Sequence, residues 1–564
     1  MPVSPYTVMM SADDVDREVN AMPPSLRCIA MLLLLFGAGL PAWPLAAQPA
    51  DPAAALIREQ LQPTLDAPTA GLGKARAQFY ALGGFAPAWT RATDVDSLLV
   101  ALRGMSADGL DPADYALDEL LRQRAALADS RATAMQRARF DLLATDACLT
   151  ALAHLYRGKV DPASLDTHWN FDARQPAPGQ GVQSVRDALA QGQLAELFAR
   201  ARPQNPLYDE LRAALARWRG VAAQGGWASI PVGPTLKPGM RDARVPALRQ
   251  RLRVAGYLPP AVDAAAGAGS PEDYDAATEQ ALRQFQSVQY LTVDGQLGPA
   301  TLAALNVPVA ARIDQLRVNL ERARWLLHQL HGDFMMVDIA GYRVAYYRDG
   351  KPVWRSRVQV GKPYRSTPAF KSQVTYLTLN PTWTVPPTIL KNDVLPKVRR
   401  NRGYLAANHI RVLDGQGRER SPASVDWANP RGIVLRQDAG PHNSLGRLVI
   451  RFPNDYAVYL HDTPHQELFA NPQRATSSGC IRVERPRELA ELLLDDPVRW
   501  NRAAIDSAID TGKTQNVTLA RPVTLLLAYW TVDLREDGRI GFRPDIYQRD
   551  APVLAALDRP RVSP

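Results

Sequence analysis

Ser477-Ser478-Gly479-Cys480-Ile481-Arg482, with His461-Asp462-Thr463-Pro464 shortly before it, is the most informative part of the chain. A thiol and an imidazole supplied by neighbouring elements are the two parts of a cysteine nucleophile with its base. An unperturbed cysteine has a pKa of about 8.5, so an adjacent histidine is needed to raise the thiolate fraction near neutral pH. Backbone N–H groups near Gly479 and Cys480 are candidates for an oxyanion hole, because glycine lets the backbone approach a carbonyl closely. The sequence therefore predicts a cysteine acyl-transfer site.

The residues around this site have the alternation of a β-sheet. Within residues 334–548 the spacing of apolar residues changes from the helical 3.6 toward 2. His461 follows the apolar part of a predicted strand, Tyr456–Leu460, and Asp349-Gly350 is a tight-hairpin signal. We therefore predict a mainly β catalytic domain over 334–548, with a capping insertion at about 386–432 that is rich in Pro, Arg and Asn. The predicted strands include Tyr342–Tyr347, Val353–Val360, Val374–Leu379, Leu448–Phe452 and Ala457–Leu460.

The rest of the 564-residue chain is predicted to be helical, which makes the whole a multidomain α+β protein. Residues 48–235 carry apolar residues at intervals of three and four and are predicted to form a helical scaffold domain. Residues 236–306 are predicted to be a small helical module in which Asp275 caps the second helix. A linker helix is predicted within 307–333, and 549–564 form a tail. The predicted scaffold helices include Ser97–Leu102, Leu117–Leu127, Met135–Leu155 and Leu194–Trp218.

Two segments resemble families of bacterial wall proteins. The helical module is similar to the small peptidoglycan-binding module through Gly256-Tyr257-Leu258, Phe285-Gln286, Asp294-Gly295, Gly298, Thr301 and Leu305-Asn306. The site resembles the signature of the L,D-transpeptidase catalytic domain, and that similarity extends to Asn380-Pro381-Thr382-Trp383, Val385-Pro386-Pro387, Gly440-Pro441, Leu445-Gly446, Phe452-Pro453-Asn454 and Asp545-Ile546-Tyr547. The chain is similar to the large periplasmic branch of that family, in which a helical scaffold domain and a peptidoglycan-binding module precede a capped catalytic domain.

The resemblance implies a role for each site residue. Cys480 matches the nucleophile of the family, and His461 matches its general base and acid. The backbone carbonyl of Asp462 is expected to orient the imidazole, and the backbone at Gly479 is expected to contribute to the oxyanion hole. His465 is the competing base, but its spacing to the cysteine fits the family less well. Substrate contacts are expected from Arg482, Tyr459, Ser478 and Trp383.

The resemblance also implies a reaction. A peptidoglycan L,D-transpeptidase forms 3→3 cross-links: its cysteine takes a donor stem peptide as a thioester, D-alanine leaves, and the side-chain amine of a second stem then attacks. Acylation by carbapenems, a monomeric state and contacts with other wall-synthesis enzymes are expected as well. The alternatives are an L,D-carboxypeptidase, a cysteine acyltransferase that attaches wall proteins, and a wall-binding scaffold protein without catalysis.

The sequence does not indicate a metal, a cofactor or nucleic acid. Zinc needs three or four ligands at a recognisable spacing, and neither a Walker phosphate loop nor a dinucleotide fingerprint is found. The formal net charge of +9 favours an anionic partner, but the basic residues are scattered without a long Lys/Arg block. A papain-like peptidase is disfavoured because its cysteine precedes its histidine by a long distance.

The first 47 residues are expected to be a secretory signal peptide. The apolar run Ile29–Leu40 is too short to span a bilayer, and small residues ending at Ala47 provide a cleavage site. The alternative is an uncleaved anchor in the inner membrane, and both interpretations place the protein in the periplasm. Outside this segment the chain has Cys480 and Cys148, too few cysteines for a disulfide framework.

Overall fold

A computed structural model describes residues 51–67, 71–129, 131–167, 169–259, 270–535 and 537–561. The expected signal peptide lies outside these residues. Within the described ranges, no helix has both the length and the apolar character needed to cross a bilayer. The chain is helical up to residue 329 and mostly β from residue 334 onward, which confirms the predicted α+β class.

The N-terminal part of the chain is helical, as predicted. One prediction here is wrong: Leu194–Trp218 is two helices rather than one. The backbone becomes extended at Arg202, because the residue before a proline, here Pro203, is disfavoured in the helical region. Asn205 then caps the second helix with its side chain. The helices are α1 (Pro52–Asp66), α2 (Leu72–Leu82), α3 (Ala92–Gly104), α4 (Leu117–Leu127), α5 (Ala134–Arg157), α6 (Gln180–Gln191), α7 (Leu194–Ala201) and α8 (Pro206–Ala223).

The next segment folds around a small apolar core of its own. Its helices are α9 (Val245–Val254), α10 (Ala276–Val288) and α11 (Pro299–Leu305). Asp275 caps α10, as predicted, by accepting a hydrogen bond of 2.9 Å from the N–H of Thr278. Gln286 fixes the loop that follows, because its side-chain oxygen accepts a hydrogen bond of 2.8 Å from the N–H of Gly295. These polar contacts hold the helices in place where the core alone is small.

The segment predicted to be a linker is a long helix, α12 (Val309–Leu326), and it is buried rather than exposed. Glu321 and Arg324 are both fully buried and form an ion pair. The guanidinium of Arg324 also donates to the carbonyl of Asp108 at 2.9 Å and to the hydroxyl of Tyr208 at 2.8 Å. A buried ion pair is tolerated when its remaining donors and acceptors are matched in this way. α12 therefore packs between the N-terminal helices and the β-sheet.

The C-terminal half of the chain is built on a nine-stranded sheet. The strands of the chain are β1 (Phe334–Asp338), β2 (Arg343–Arg348), β3 (Lys351–Gly361), β4 (Phe370–Leu379), β5 (Trp383–Thr384), β6 (Ile410–Asp414), β7 (Ile433–Gln437), β8 (Leu448–Arg451), β9 (Leu460–His461), β10 (Ala475–Ser477), β11 (Ile481–Val483), β12 (Gln515–Ala528), β13 (Val532–Leu534) and β14 (Ile540–Phe542). The order in the sheet is β10-β3-β11-β9-β8-β4-β12-β1-β2, and β2 also pairs with β3, so the sheet closes on itself. The hairpin predicted at Asp349-Gly350 is confirmed, with φ of 48° and 73° at these residues.

Residues 383–435, a range that includes the insertion predicted at about 386–432 and is called the cap below, form a separate apolar core. Strands β5, β7 and β6 form a three-stranded antiparallel sheet, accompanied by the helices α13 (Leu395–Arg400) and α14 (Gly403–Ala407). Immediately before α13 the chain makes a π-helical turn over Leu390–Val394, a conformation that is frequent at functional sites. Trp427 is buried in this core and donates its indole N–H to the carbonyl of Pro422 at 2.9 Å. Its ring therefore supports the cap from inside.

The N-terminal helices and the nine-stranded sheet share one continuous apolar core. The last helices are α15 (Pro486–Leu494), α16 (Arg502–Asp510) and α17 (Asp550–Leu557). Lys159, at the end of α5, forms an ion pair of 2.5 Å with Asp114 and donates a hydrogen bond of 2.6 Å to the carbonyl of Leu557. The C-terminal helix is thereby attached to the N-terminal helices, and the sheet that carries the site is held from both ends.

Candidate active site

Strands β9 and β11 bring the two parts of the site together. They are parallel neighbours, with Leu460 opposite Ile481 and His461 opposite Arg482. Cys480 directly precedes β11, and the N–H of the next residue, Ile481, donates to the carbonyl of Tyr459 at 2.9 Å. The pairing of β9 with β11, rather than proximity in sequence, brings the backbone of Cys480 close to that of His461.

The imidazole of His461 is buried and is held by the main chain. His461 is 3% exposed, and the Nδ1 atom of its ring lies 2.5 Å from the carbonyl oxygen of Asp462. Because a carbonyl can only accept, Nδ1 carries the proton and Nε2 keeps a free lone pair. Burial, with the positive charge of Arg482, lowers the pKa of His461 to about 3, against the opposing effect of hydrogen bonds to the backbone of Asp462 and Leu445. The imidazole is therefore neutral at pH 7.

The carboxylate of Asp462 fixes the main chain that holds this imidazole. Its Oδ2 accepts a hydrogen bond of 2.9 Å from the N–H of Arg447. Gly446 lies against the same side chain with a φ of 63°, and a Cβ at that position would come within 2.5 Å of the Asp462 carboxylate. Only glycine combines this backbone conformation with such a close approach. Gly446 and Asp462 therefore set the position of the carbonyl that orients His461.

The thiol of Cys480 is half-buried and lies over a turn. The predicted strand Tyr456–Leu460 is wrong over most of its length: β9 begins only at Leu460, because a φ of 53° at Ala457 interrupts the extended run. The thiol donates a hydrogen bond of 3.7 Å to the carbonyl of Ala457, not to the imidazole. Burial raises the pKa of Cys480, against a backbone hydrogen bond and two nearby arginines that lower it. The resting site therefore holds a neutral thiol beside a neutral imidazole.

The loop before Cys480 is fixed by its own hydrogen bonds. Gly479 has a φ of 117°, and its N–H donates to the hydroxyl of Ser477 at 3.1 Å. That hydroxyl donates in turn to the carbonyl of Cys480 at 2.6 Å. The N–H of Gly479 is thus used within the loop, whereas the N–H of Cys480 has no hydrogen-bond partner in the part of the chain that the structure describes. Of the two donors expected for an oxyanion hole, the N–H of Cys480 is the available one.

Thr367 and Tyr547 support this loop from behind, and no sequence pattern had assigned Thr367 a role. The Thr367 hydroxyl donates to the carbonyl of Gly479 at 2.8 Å and accepts from the N–H of Gly361 at 2.9 Å. The Tyr547 hydroxyl donates to the carbonyl of Gly361 at 2.6 Å and accepts from the N–H of Thr367 at 3.2 Å. Gly479 and Tyr547 are 112 and 180 residues from Thr367 in sequence, so no local signal could have shown this arrangement.

Arginine side chains flank the thiol. Arg482 donates from Nη1 to the side chain of Gln359 at 3.1 Å, while its Nε is buried without a partner in the described structure. The guanidinium of Arg451 lies 4.4 Å from the ring centroid of Tyr459. Both arginines act electrostatically on the thiol and on the imidazole. Arg482, expected to contact substrate, thus has one N–H group, at Nε, that makes no hydrogen bond in the described structure. Tyr459, also expected to contact substrate, packs against the guanidinium of Arg451.

Three family models match the chain. The models described as "Scaffold domain", "Putative peptidoglycan binding domain" and "L,D-transpeptidase catalytic domain" match residues 74–215, 241–305 and 332–500, and the last range contains Cys480 and His461. The segment that carries Cys480 and His461 is thus similar to the L,D-transpeptidase catalytic domain. A curated relative from Haemophilus influenzae, named "Putative L,D-transpeptidase", is 35% identical over 245 residues, which is 43% of this chain and 49% of the relative. The match thus spans about half the length of that relative.

Solved structures of L,D-transpeptidases are also similar to this chain. One from Xylanimonas cellulosilytica is 17% identical and covers 53% of this chain and 99% of its own, with a TM-score of 0.16. One from Mycobacterium smegmatis is 13% identical and covers 34% of this chain and 58% of its own, also with a TM-score of 0.16.

Ser478 connects the loop before Cys480 to the cap. Arg365 donates to the hydroxyl of Ser478 at 3.0 Å and forms an ion pair with Asp393, which lies in the π-helical turn. Ser478, expected to contact substrate, therefore has Arg365 as its partner here. Trp383, also expected to contact substrate, lies in β5 and packs on the core of the cap. The cap is thus anchored close to the cysteine loop by charge.

The other histidines described in this part of the chain lie on its surface. His465, the competing base, is exposed, and its Nδ1 lies 3.4 Å from the carboxylate of Glu467. His409 and His442 stack on each other at 4.2 Å on the surface. Among the residues that the structure describes, no group of three or more His, Cys, Asp or Glu side chains is placed to hold a metal ion.

Proposed function

We propose that the chain is a peptidoglycan L,D-transpeptidase that forms 3→3 cross-links through a thioester on Cys480. The observation that carries this proposal is the pairing of β9 with β11, which brings the backbone of Cys480, the residue before β11, close to that of His461. The match of a peptidoglycan-binding domain in the same chain supports peptidoglycan as the substrate. We assign residues 48–235 to the scaffold domain, 236–306 to the peptidoglycan-binding module and 334–548 to the catalytic domain.

In the first step, Nε2 of His461 takes the thiol proton while the sulfur of Cys480 attacks a carbonyl carbon of the donor stem. That carbonyl belongs to the third residue of a tetrapeptide, whose fourth residue is D-alanine. The N–H of Cys480 stabilises the oxyanion, and the carbonyl of Asp462 stabilises the imidazolium that has formed. The imidazolium then gives its proton to the amide nitrogen, the C–N bond breaks, and D-alanine leaves. Its depressed pKa makes the imidazolium a strong proton donor at this stage.

In the second step, an amine on the third residue of another stem attacks the thioester. His461 takes a proton from the attacking amine, the C–S bond breaks, and the proton returns to the thiolate of Cys480. The new amide joins the third residues of two stems. Water in place of the amine would release a tripeptide, which is the carboxypeptidase reaction.

Substrate recognition is assigned to the polar groups around the thiol. The guanidinium groups of Arg482 and Arg451 provide positive charge for the carboxylates of the stem. The cap, held by Asp393 against Arg365, acts as a lid that limits the entry of water to the thioester. Carbapenems are expected to acylate the same sulfur, because they present an activated carbonyl to it. The protein acts in the periplasm, as a monomer.

The test is to incubate the purified protein with disaccharide-tetrapeptide and to identify the products by mass spectrometry. A cross-linked dimer that lacks one D-alanine is the expected product. A tripeptide alone would instead show hydrolysis. Neither product, from a folded protein with a reduced thiol, would favour a wall-binding scaffold without catalysis.

The matched variants are Cys480→Ala and Cys148→Ala. Cys148 is a fully buried thiol in α5, and its pKa is raised by burial alone, so it serves as the control for loss of a thiol elsewhere. Cys480→Ala should abolish all products and leave the thermal unfolding temperature close to that of the wild type. Turnover that persists in Cys480→Ala would remove this residue from the mechanism.

A further inference from the structure

A cavity of about 80 Å³ lies where α8, the peptidoglycan-binding module, α12 and the β13–β14 hairpin meet. A single water needs roughly 10–15 Å³ of such space, so the cavity accommodates a small polar group. It is far from the thiol in the fold, since none of its lining residues belongs to β9, β10 or β11. We call it the junction cavity; the residues used below are Arg217, Trp218, Arg251, Tyr257, Arg312 and Arg539.

The junction cavity is lined by four arginines, and none of its described lining residues is acidic. Arg251 and Arg312 are only 2% and 7% exposed. Burial lowers the pKa of Arg251 to about 10, and burial with the charge of Arg251 lowers that of Arg312 to about 9. The guanidinium of Arg539 lies 4.0 Å from the carboxylate of Asp537, a residue that does not line the cavity. Two buried cations without a carboxylate between them are costly unless a counter-charge is supplied.

Two buried N–H donors of the lining have no partner in the described structure. They are Nη1 of Arg251 and the indole Nε1 of Trp218, a residue that is 6% exposed. The rest of the Arg251 side chain is well occupied: Nε donates to the carbonyl of Leu305 at 2.9 Å, and the guanidinium stacks 3.7 Å from the ring centroid of Trp227. Buried donors in native proteins are nearly always matched, by protein, by water or by a ligand. An oxyanion would accept hydrogen bonds from these two donors and would balance the positive charge of the lining.

The cavity is also accessible. Gly256 and Arg217 line it and are exposed, and there is open space at the position of a Cβ on Gly256. A small anion can therefore reach Arg251 without unfolding the junction. Once bound, it would contact side chains of α8, of the module and of α12, and so fix the module relative to the rest of the chain.

We propose that the junction cavity binds one oxyanion, held by Arg251, Arg312 and the indole N–H of Trp218. Two sources share this chemistry: a carboxylate of a wall peptide, and free phosphate. The proposal does not depend on the reaction at Cys480, and its test does not measure turnover.

The experiment is isothermal titration of the full chain with inorganic phosphate and, separately, with a wall tripeptide that carries free carboxylates. We expect one site per chain for at least one of these ligands. Arg251→Met and Arg312→Met should each weaken binding about tenfold or more, the usual effect of removing a charge-assisted hydrogen bond. Arg253→Met is the matched control, because Arg253 lies on the same helix, α9, and does not line the cavity. Binding of phosphate alone identifies free phosphate as the source, and binding of the tripeptide alone identifies the wall.

Thermal unfolding with and without ligand separates this proposal from a purely structural role of the arginines. Arg251→Met also removes the hydrogen bond to the carbonyl of Leu305 and the stacking on Trp227, so the informative quantity is the rise in melting temperature that the ligand causes in each protein. A guanidinium with a purely structural role predicts the same ligand-induced rise in the wild type and in Arg251→Met, whereas a binding role predicts that the rise is lost in the variant. The proposal is overturned if neither ligand binds, if binding is unchanged in both variants, or if both variants lose stability without ligand while the wild type gains none from it.

Discussion

The hydroxyl of Thr367 donates a hydrogen bond of 2.8 Å to the carbonyl of Gly479, the residue that precedes Cys480. Thr367 is fully buried, and its own backbone N–H donates to the hydroxyl of Tyr547 in the C-terminal segment. The position of the candidate nucleophile thus depends on groups that lie far from it in sequence. Hydrogen bonds from Thr367 and Ser477 hold the loop before Cys480 in place.

Thr367→Val should therefore lower both turnover and stability. The substitution keeps the shape of the side chain but leaves the carbonyl of Gly479 and the N–H of Gly361 without their partner, at a cost of about 1–3 kcal/mol. A displaced cysteine loop should lower the rate about 10- to 100-fold. Thr367→Ser keeps the hydroxyl and is the control. Equal rates for the Val and Ser variants, measured by consumption of the tetrapeptide, would contradict this role.

The pH dependence of thiol alkylation should report a neutral resting pair. Because burial raises the pKa of Cys480, the rate of its reaction with iodoacetamide should keep increasing above pH 9. A preformed thiolate–imidazolium pair would instead react at a constant rate from about pH 6 upward. Cys148 is fully buried and should stay unmodified in the folded protein. Mass spectrometry of peptides after timed quenching distinguishes the two thiols, and a plateau starting near pH 6 would refute the neutral pair.

Much of this arrangement could be predicted from the sequence, because the signals were local. The tight hairpin at Asp349-Gly350 and the cap at Asp275 each depend on residues within a few positions. By contrast, Glu321 and Arg324 lie on a helix that is rich in charged residues. From its sequence alone, such a helix would be predicted to be exposed to solvent. They are buried because Asp108 and Tyr208, more than 100 residues earlier, complete their hydrogen bonds. Contacts between residues so far apart produce no periodic pattern in the sequence from which they could be predicted.

In the candidate site, too, some features could be predicted from local sequence and others could not. The identities of Cys480 and His461 follow from short motifs, but the predicted strand before His461 failed because one residue, Ala457, adopts a positive φ. The use of the Gly479 N–H within its own loop could not be foreseen either, since it depends on the rotamer of Ser477. Sequence motifs thus predicted which groups react, while the supporting contacts required the fold.

Protein stability should fall at acidic pH because His461 is buried in its neutral form. The pKa of histidine is about 6.5 in an unfolded chain and about 3 here, so between these values the unfolded state binds more protons. The contribution of His461 is therefore complete above pH 6.5 and is lost as the pH falls toward 3, by up to roughly 5 kcal/mol in all.

The measurement is the free energy of unfolding of the wild type and of His461→Gln between pH 4 and pH 8. The difference between the two proteins should shrink as the pH falls. His154 has its pKa lowered to about 3 by burial and by Lys159, and it contributes equally to both proteins. His409→Gln serves as the control for the loss of an exposed imidazole. A parallel curve for His461→Gln would show that the imidazole of His461 binds protons equally in the folded and unfolded states, and that burial does not hold it neutral.

The ion pair between Arg365 and Asp393 should control access to the site. Arg365→Gln, or Asp393→Asn, removes the charge that holds the π-helical turn of the cap near Ser478. We expect KM for the tetrapeptide to rise several-fold, with kcat within about twofold, and limited proteolysis within the cap to become faster. Arg411→Gln, which breaks an exposed pair with Glu419 inside the cap, is the control. If both variants behave alike, the Arg365 contact has no special role.

The contact between Gly446 and Asp462 provides the sharpest test of how the imidazole is positioned. Gly446→Ala would force a Cβ to within 2.5 Å of the carboxylate that fixes the His461 main chain, in addition to the strain of a φ of 63°. We expect a loss of about 1–3 kcal/mol in stability and at least about a tenfold loss in kcat. Gly417→Ala is the matched control, because Gly417 has a φ of 79° with nothing within 4 Å of its Cβ position. It carries the backbone strain without the clash. If the contact positions the imidazole, only Gly446→Ala loses turnover; equal turnover in the two variants would mean that the main chain at Asp462 tolerates displacement and that His461 is oriented by something else.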